Sequence, residues 1–305
     1  MNKKSKMLLK VIIALVLMVT IAFSYSFIFN RSALADIKNR DNICSCICIN
    51  CSCCTKQDEE EILTEIHFID VGNADSIFIK GEKNILIDGG EDKHGTVISN
   101  YIKKLGIDTI DYVIGSHAHS DHVGGLDILI YNFNIRTVFT SNTKANTKVY
   151  QDFLYAANSK KVYPSIPLEN TEIKLSAVSS MRFFNTNGGS DINNQSLVML
   201  YEDNGTKVLF TGDIEEQAEN EVLEFVEDID ILKVSHHGSE NSSTIKFLEK
   251  VNAEVGIIST GIGNKYNHPH KLALDRLEET GAEIHRTDEE GTIIINIYED
   301  GYKIK

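Results

Sequence analysis

Ser116-His117-Ala118-His119-Ser120-Asp121-His122 decides how this chain is read: three histidines and one carboxylate fall within six residues. The apolar segment Asp111-Tyr112-Val113-Ile114-Gly115 precedes it and the turn Val123-Gly124-Gly125 follows it. The cluster therefore sits in a loop at the end of a strand, where side chains from a sheet edge converge. Imidazole and carboxylate together suit borderline divalent ions such as zinc, iron or manganese. His117 and His119 are two apart, so in extended chain they point the same way. Asp121 and His122 come after the turn and can meet a second ion from the other side. The bland alternative, a solvated loop rich in histidine, loses weight because other strand ends carry the same chemistry.

Asp213 follows the apolar run Val208-Leu209-Phe210-Thr211-Gly212 and is placed to bridge two ions, although an Asp there also caps the helix expected from residue 215. Ile231-Leu232-Lys233-Val234-Ser235 ends in His236-His237-Gly238. If that segment is extended, the two rings point to opposite sides and only one ligates; His236 is the favoured one, leaving His237 as a proton donor. Asp88 ends Ile85-Leu86-Ile87 and can orient a ligating histidine from behind; alone, Asp88-Gly89-Gly90 is also an ordinary turn. Asn264-Lys265-Tyr266-Asn267-His268-Pro269-His270 is a polar loop from which His268 or Tyr266 can face substrate.

The remainder of residues 62–298 alternates strand and helix. Strands are expected on both sides of the turn at 72–75, at 84–87, 111–116, 135–140, 172–177, 181–185, 196–202, 207–210, 229–234, 255–259, near 284 and at 292–298. Helices are expected at 94–105, 124–133, 147–159, 215–227, 242–251 and 271–280. Asn204-Gly205 joins two strands as a hairpin signal. Strand-rich blocks with helices in both halves imply two sheets covered by helices, a mixed α/β (α+β) architecture.

At these residues the chain resembles the metallo-β-lactamase superfamily, whose hallmark is H-x-H-x-D-H. The order of F-I-D-V-G-N-A-D-S-I-F-I, I-L-I-D-G-G, S-H-A-H-S-D-H-V-G-G-L, N-N-Q-S-L-V-M-L, L-F-T-G-D-I, L-K-V-S-H-H-G-S and N-K-Y-N-H-P-H is similar to the soluble domain of the ComEC competence proteins, over roughly residues 62–298. It is also similar to the exported phosphorylcholine esterases of that branch. The resemblance implies an αββα four-layer sandwich and a dinuclear centre of two divalent metal ions, zinc or manganese, held by His117, His119, Asp121, His122, Asp213 and His236. Gly72-Asn73-Ala74-Asp75 departs mildly from the branch's usual Gly-Gln-Gly-Asp. The superfamily's separate third-motif histidine is missing: Asp191-Ile192-Asn193-Asn194-Gln195-Ser196 takes its place, so either one ion is expected to be held more weakly or an asparagine oxygen or water to fill the position, and Asn193 and Asn194 are expected, with Asp88, to support the ligands from behind.

The expected chemistry is metal-assisted hydrolysis, in which two ions share a hydroxide that attacks an ester centre. Asp121 would orient the nucleophile and His237 or His268 would protonate the leaving group. A phosphoester in a cell-wall polymer or nucleic acid is the expected substrate; β-lactam or lactone hydrolysis, and a non-catalytic binding or sensing module, are the alternatives. No protein partner is expected.

Charge bounds the substrate further. Residues 1–55 carry seven Lys/Arg against two acids, leaving 23 basic and 42 acidic residues in the rest. So acidic a domain repels long duplex nucleic acid except where metal or a local basic patch reverses the field.

Residues 1–35 read as a signal peptide or membrane anchor. Four lysines lead into the uncharged 19-residue run Val11–Phe29, and Ala33-Leu34-Ala35 offers a cleavage site. Either way the catalytic part is expected outside the cytoplasm, secreted or tethered to the membrane. Residues 36–61 read as a linker holding all six cysteines, Cys44, Cys46, Cys48, Cys51, Cys53 and Cys54; it is expected to be a tether with oxidisable thiols. Residues 62–305 read as the hydrolase domain.

Overall fold

A computed structural model describes residues 60–143 and 145–305. The expected signal or anchor (1–35) and the cysteine run lie outside the described residues. Among the described residues no helix is long and apolar enough to cross a membrane.

One seven-stranded sheet contains β1 (Thr64–Phe68), β2 (Ile77–Lys80), β3 (Ile85–Ile87), β4 (Thr109–Gly115), β5 (Asn134–Thr140), β13 (Ile293–Tyr298) and β14 (Gly301–Ile304), in the order β14-β13-β1-β2-β3-β4-β5. The other contains β6 (Glu172–Lys174), β7 (Ser179–Phe184), β8 (Val198–Asp203), β9 (Thr206–Phe210), β10 (Ile231–Lys233), β11 (Val255–Ile258) and β12 (Glu283–Arg286), in the order β12-β11-β10-β9-β8-β7-β6. Alternation along the strands divides the side chains between three cores. Ile66 and Phe68 of β1, Ile77 and Ile79 of β2, Met181 and Phe183 of β7 and Val208 and Phe210 of β9 fill the space between the sheets. The opposite faces carry Phe78, Leu86 and Val113 on the first sheet and Val198, Leu209 and Leu232 on the second.

Those outer faces are covered by amphipathic helices. Ile98 and Ile102 of α1 (Gly95–Lys104), Leu129 and Ile130 of α2 (Leu126–Asn132) and Phe153, Ala156 and Ala157 of α3 (Lys148–Ser159) close over the first sheet. Ala218 and Val222 of α4 (Glu216–Val222), Phe247, Leu248 and Val251 of α5 (Ile245–Val251) and Leu277 of α6 (Lys271–Thr280) close over the second. The α/β expectation of two helix-covered sheets is met, and the Asn204-Gly205 hairpin joins β8 to β9 with both turn residues at positive φ.

Two expectations need correction. The helix expected over 215–227 ends at Val222. Glu224, Glu227 and Asp228 would crowd the negative end of a longer helix, and Val226 instead turns inward to join Val222 in the core. The strand β14 was not expected: its one apolar face is partly exposed, with Tyr302 and Ile304 at the edge of the core between the sheets.

The pairing directions set the site. β3, β4 and β5 run parallel, as do β9, β10, β11 and β12. Parallel neighbours bring their carboxyl ends to the same edge, where ligands bind in such sheets. Asp88, the 116–122 loop, Asp213 and the His236-His237 pair all follow strands of these two sets. The loop is clamped from behind. A Cβ on Gly125 would lie 2.3 Å from the Gly89 carbonyl oxygen, and one on Gly124 would lie 2.4 Å from the Asp92 backbone nitrogen, so only glycine lets the three segments pass.

Candidate metal centre

Asp213 sits at the middle of the rim, buried. Its backbone N–H donates to Ser196 Oγ at 3.0 Å, which sets its direction. Four imidazole Nε2 atoms approach its Oδ2: His122 at 3.2 Å, His237 at 3.7 Å, and His117 and His236 at 3.8 Å. His119 joins from the open side, with Nδ1 3.0 Å from His117 Nε2. Asp121 Oδ2 lies 3.5 Å from His237 Nε2. Ligand atoms of His117, His122 and Asp213 lie within 4.8 Å of one another, and so do those of Asp121, His122 and His237. The six residues expected to ligate are thus brought to one place, with His237 among them.

The rings are aimed from behind. His122 Nδ1 donates to Asp88 Oδ2 at 2.8 Å, and Asp88 also accepts from the Ser116 backbone N–H at 2.7 Å and from its hydroxyl at 2.6 Å. Ser116 Oγ, its proton given to Asp88, accepts from His117 Nδ1 at 3.1 Å. His237 Nδ1 donates to the Ser259 carbonyl at 2.9 Å. A carboxylate or carbonyl can only accept, so in each neutral ring the lone pair is left on Nε2, facing Asp213.

The tandem histidines differ from the sequence expectation. Ser235–Gly238 is a turn rather than an extended segment, and both histidines are left-handed, His236 at φ 49° and His237 at φ 54°. The turn swings both rings inward instead of to opposite sides. His237 is fully buried between Asp121, Asp213 and Ser259. His236 is 21% exposed, with Nδ1 3.2 Å from Glu215 Oε1. The expectation that only one of the two rings faces the centre is corrected to two inward-facing rings.

The two asparagines lie behind the centre. Asn194 Oδ1 accepts from the backbone N–H groups of Glu215 and Ala218 at 3.0 and 3.2 Å, capping α4, so its oxygen is not free to enter the centre. Asn193 Nδ2 donates to Glu215 Oε1 at 3.3 Å; it stands behind His236 through Glu215.

Electrostatics follow from this crowding. Burial lowers His122 and His237, but Asp213 outweighs it in both, helped by Asp88 for His122 and by Asp121 for His237; His122 ends well above the ordinary imidazole value and His237 above it. Burial, reinforced by His122, holds His117 well below it. Burial raises Asp121 and Asp213, but the neighbouring histidines outweigh it and keep both carboxylates ionised. Burial together with His237 and His236 pushes His268 down to about 4. The carboxylates call for positive charge. Nε2 of His122 and of His237 and Oδ1 of Asp213 are buried with no hydrogen-bond partner among the described residues. Such orphans call for an explanation, and a divalent cation, which binds imidazole nitrogen and carboxylate oxygen, fits all of them.

Three contributors were missed by sequence reasoning. Lys233, fully buried in β10, places Nζ 2.8 Å from Asp75 Oδ2. Asp75 Oδ1 is in turn 3.7 Å from His237 Nδ1. A lysine inside the apolar run Ile231-Leu232-Lys233-Val234 is itself a signal, since a buried ammonium needs a counter-charge. Glu215, read only as a helix start, is the third.

A cavity of about 290 Å³ opens over the centre, lined by His119, Asp121, His236, His237, Tyr266 and His268 among others. A second of about 420 Å³ shares Asn73, Ser120, Asp121 and Tyr266 with it, and extends to Glu91, Lys93 and Lys265.

Comparison with known proteins agrees with this geometry. Residues 69–262 match the family described as Metallo-beta-lactamase superfamily. ComE operon protein 3 of Bacillus subtilis is 29% identical, over 75% of this chain and 32% of its own length. Recombination protein 2 of Haemophilus influenzae is 26% identical, over 79% of this chain and 30% of its own length. The chain thus spans about a third of these curated relatives. Among solved structures, the metallo-beta-lactamase fold protein YhfI from Bacillus subtilis aligns with a TM-score of 0.52 at 12% identity, covering 76% of this chain and 98% of that one. CmlA, a diiron β-hydroxylase from Streptomyces venezuelae, aligns at 0.53 and 12%, covering 78% and 55%. These two likenesses are of fold.

Proposed function

The chain belongs to the metallo-beta-lactamase superfamily, and on that premise we propose that it is an exported hydrolase of phosphodiester bonds that works with two divalent cations, zinc or manganese. The observation that carries the proposal is the convergence of four imidazole Nε2 atoms on Asp213 Oδ2. His117, His119, Asp121, His122, Asp213 and His237 would hold the cations. Bound there, they supply Lewis acidity and bring the pKa of water toward neutrality.

The remaining work falls to the protein. Asp121, kept ionised by His237 and His122, lines the cavity and orients the attacking water by accepting its proton. His237 is withdrawn from proton transfer, because its Nδ1 is committed to Ser259 and its Nε2 to the centre. His268, a neutral imidazole on the cavity wall, offers an N–H to the leaving-group oxygen. Beside the adjoining cavity Lys93 is paired with Glu91 at 2.7 Å, which leaves Lys265 to favour an anionic substrate in an otherwise acidic domain. A phosphodiester that is small, or carried by a cell-wall polymer or single strand, suits this balance better than long duplex nucleic acid. Residues 1–35 would carry the domain across the membrane and, if retained, tether it there.

The test is a panel of chromogenic phosphodiesters, nucleic acids, lactones and a β-lactam, given to the full chain with manganese or zinc beside His119→Ala. Phosphodiester turnover that falls at least about 100-fold in the variant is the expected result, on the scale of losing one group that stabilises transition-state charge. Turnover of the lactone or β-lactam alone would redirect the substrate assignment.

A further inference from the structure

Two adjacent non-glycine residues in the left-handed region are costly for L-amino acids, and His236 and His237 both adopt it at the rim of the site. The turn is pinned by the His236 N–H donating to the Gly212 carbonyl at 3.1 Å and by the Ser239 N–H donating to the His236 carbonyl at 2.9 Å. Its effect is to bring both rings to the same carboxylate. His237 completes one side of the centre with Asp121 and His122, whose ligand atoms group with its own. The other side holds His117, His119 and a share of Asp213, one protein donor fewer than the first.

We propose that the two histidines serve one ion each, with His236 supplying the missing donor on the His117–His119 side and Glu215 acting as its positioning residue. This rests on the metal-dependent reading above and extends it. His236 Nε2 faces Asp213 Oδ2 at the same 3.8 Å as His117 Nε2 does. It lines the same cavity as His119. Among the described residues its Nδ1 is buried with no aligned hydrogen-bond partner, and Glu215 Oε1 faces it at 3.2 Å. Asn193 donates to that same oxygen, and the N–H of Glu215 is fixed by Asn194. Carboxylate behind imidazole is the arrangement that fixes a ligating ring and raises its basicity. Asn193 and Asn194 thus aim an imidazole rather than ligate.

The experiment is titration of the metal-stripped full-length protein with cobalt(II), followed by calorimetry and by the visible absorption of the bound ion, for wild type, His236→Gly, Glu215→Ala and His237→Ala. Glycine at 236 removes the ring while suiting the positive φ, so the turn survives. Wild type is expected to take up two ions. His236→Gly should retain one at wild-type affinity and bind the other at least about tenfold more weakly, with a changed spectrum for that ion alone. Glu215→Ala should weaken the same ion about tenfold, in the range expected for a group behind a ligand. His237→Ala should weaken the opposite ion. Two ions bound at wild-type affinity by His236→Gly would overturn this assignment and leave the hydrolase reading standing. No uptake by wild type would overturn both.

Discussion

Replacing Asp213 with alanine is expected to remove both metal uptake and turnover. Oδ2 of this one side chain faces four imidazoles at 3.2 to 3.8 Å, and no other carboxylate in the cluster touches both halves of it. Asp88 stands behind His122, while Asp121 groups with His122 and His237 on one side. Without Asp213 the two halves lose their common anion, and four imidazoles face one another around a void. We expect kcat/KM for a chromogenic phosphodiester to drop on the order of 1,000-fold or more, about 4 kcal/mol of transition-state stabilisation. Metal content after dialysis should fall with it. Asp213→Asn should behave almost as badly, because it keeps the shape and loses the charge. A variant that retained both ions and a rate within tenfold of wild type would show that Asp213 is not the hub.

The second large effect is on stability. Lys233 is fully buried, its ammonium 2.8 Å from Asp75 Oδ2, and it also donates to the Val234 carbonyl at 3.0 Å. Removing one partner of a buried pair leaves the other charge uncompensated, at about 3–5 kcal/mol. Lys233→Met keeps most of the volume and strands Asp75, which is itself 1% exposed and close to His122 and His237. For a domain of this size the melting temperature of the metal-free protein should drop by roughly 6 to 20 °C. The double variant Asp75→Asn, Lys233→Met should recover part of that loss, since neither charge is then left alone. Thermal unfolding by circular dichroism of the two variants decides it. Equal melting temperatures for Lys233→Met and wild type would mean that the pair contributes nothing.

How much of this could be read from the chain depends on how local the information is. The 116–122 loop was legible because its four metal-type side chains lie within six residues and follow an apolar strand. Asp213 was legible for a related reason, a lone carboxylate after a buried strand. Alternation in β1, β9 and β13 and the Asn204-Gly205 turn gave the sheets away, since each depends only on near neighbours. The His236-His237 pair was misjudged because side-chain direction was taken from extended backbone. The left-handed turn that redirects both rings is held by the Gly212 carbonyl, which is distant in sequence. Glu215 was hidden for a similar reason: Asn194 and Asn193 fix it across the gap between two segments, and a helix start was an adequate local explanation for it. Lys233 carried a visible signal in its apolar surroundings, but its counter-charge at Asp75 lies far off in sequence, in the loop between β1 and β2. Asp88 was the intermediate case. An Asp-Gly-Gly turn is commonplace, and only the Ser116 and His122 contacts give the residue its part in the centre.

The most direct test of the account is the rate of phosphodiester hydrolysis by the full chain as metal is removed with a chelator and then returned as manganese or zinc, with bound metal counted at each step. The account predicts that rate and bound ion disappear together and return together, reaching the full rate at two ions per chain. A metal-stripped protein that kept its full hydrolytic rate would contradict it.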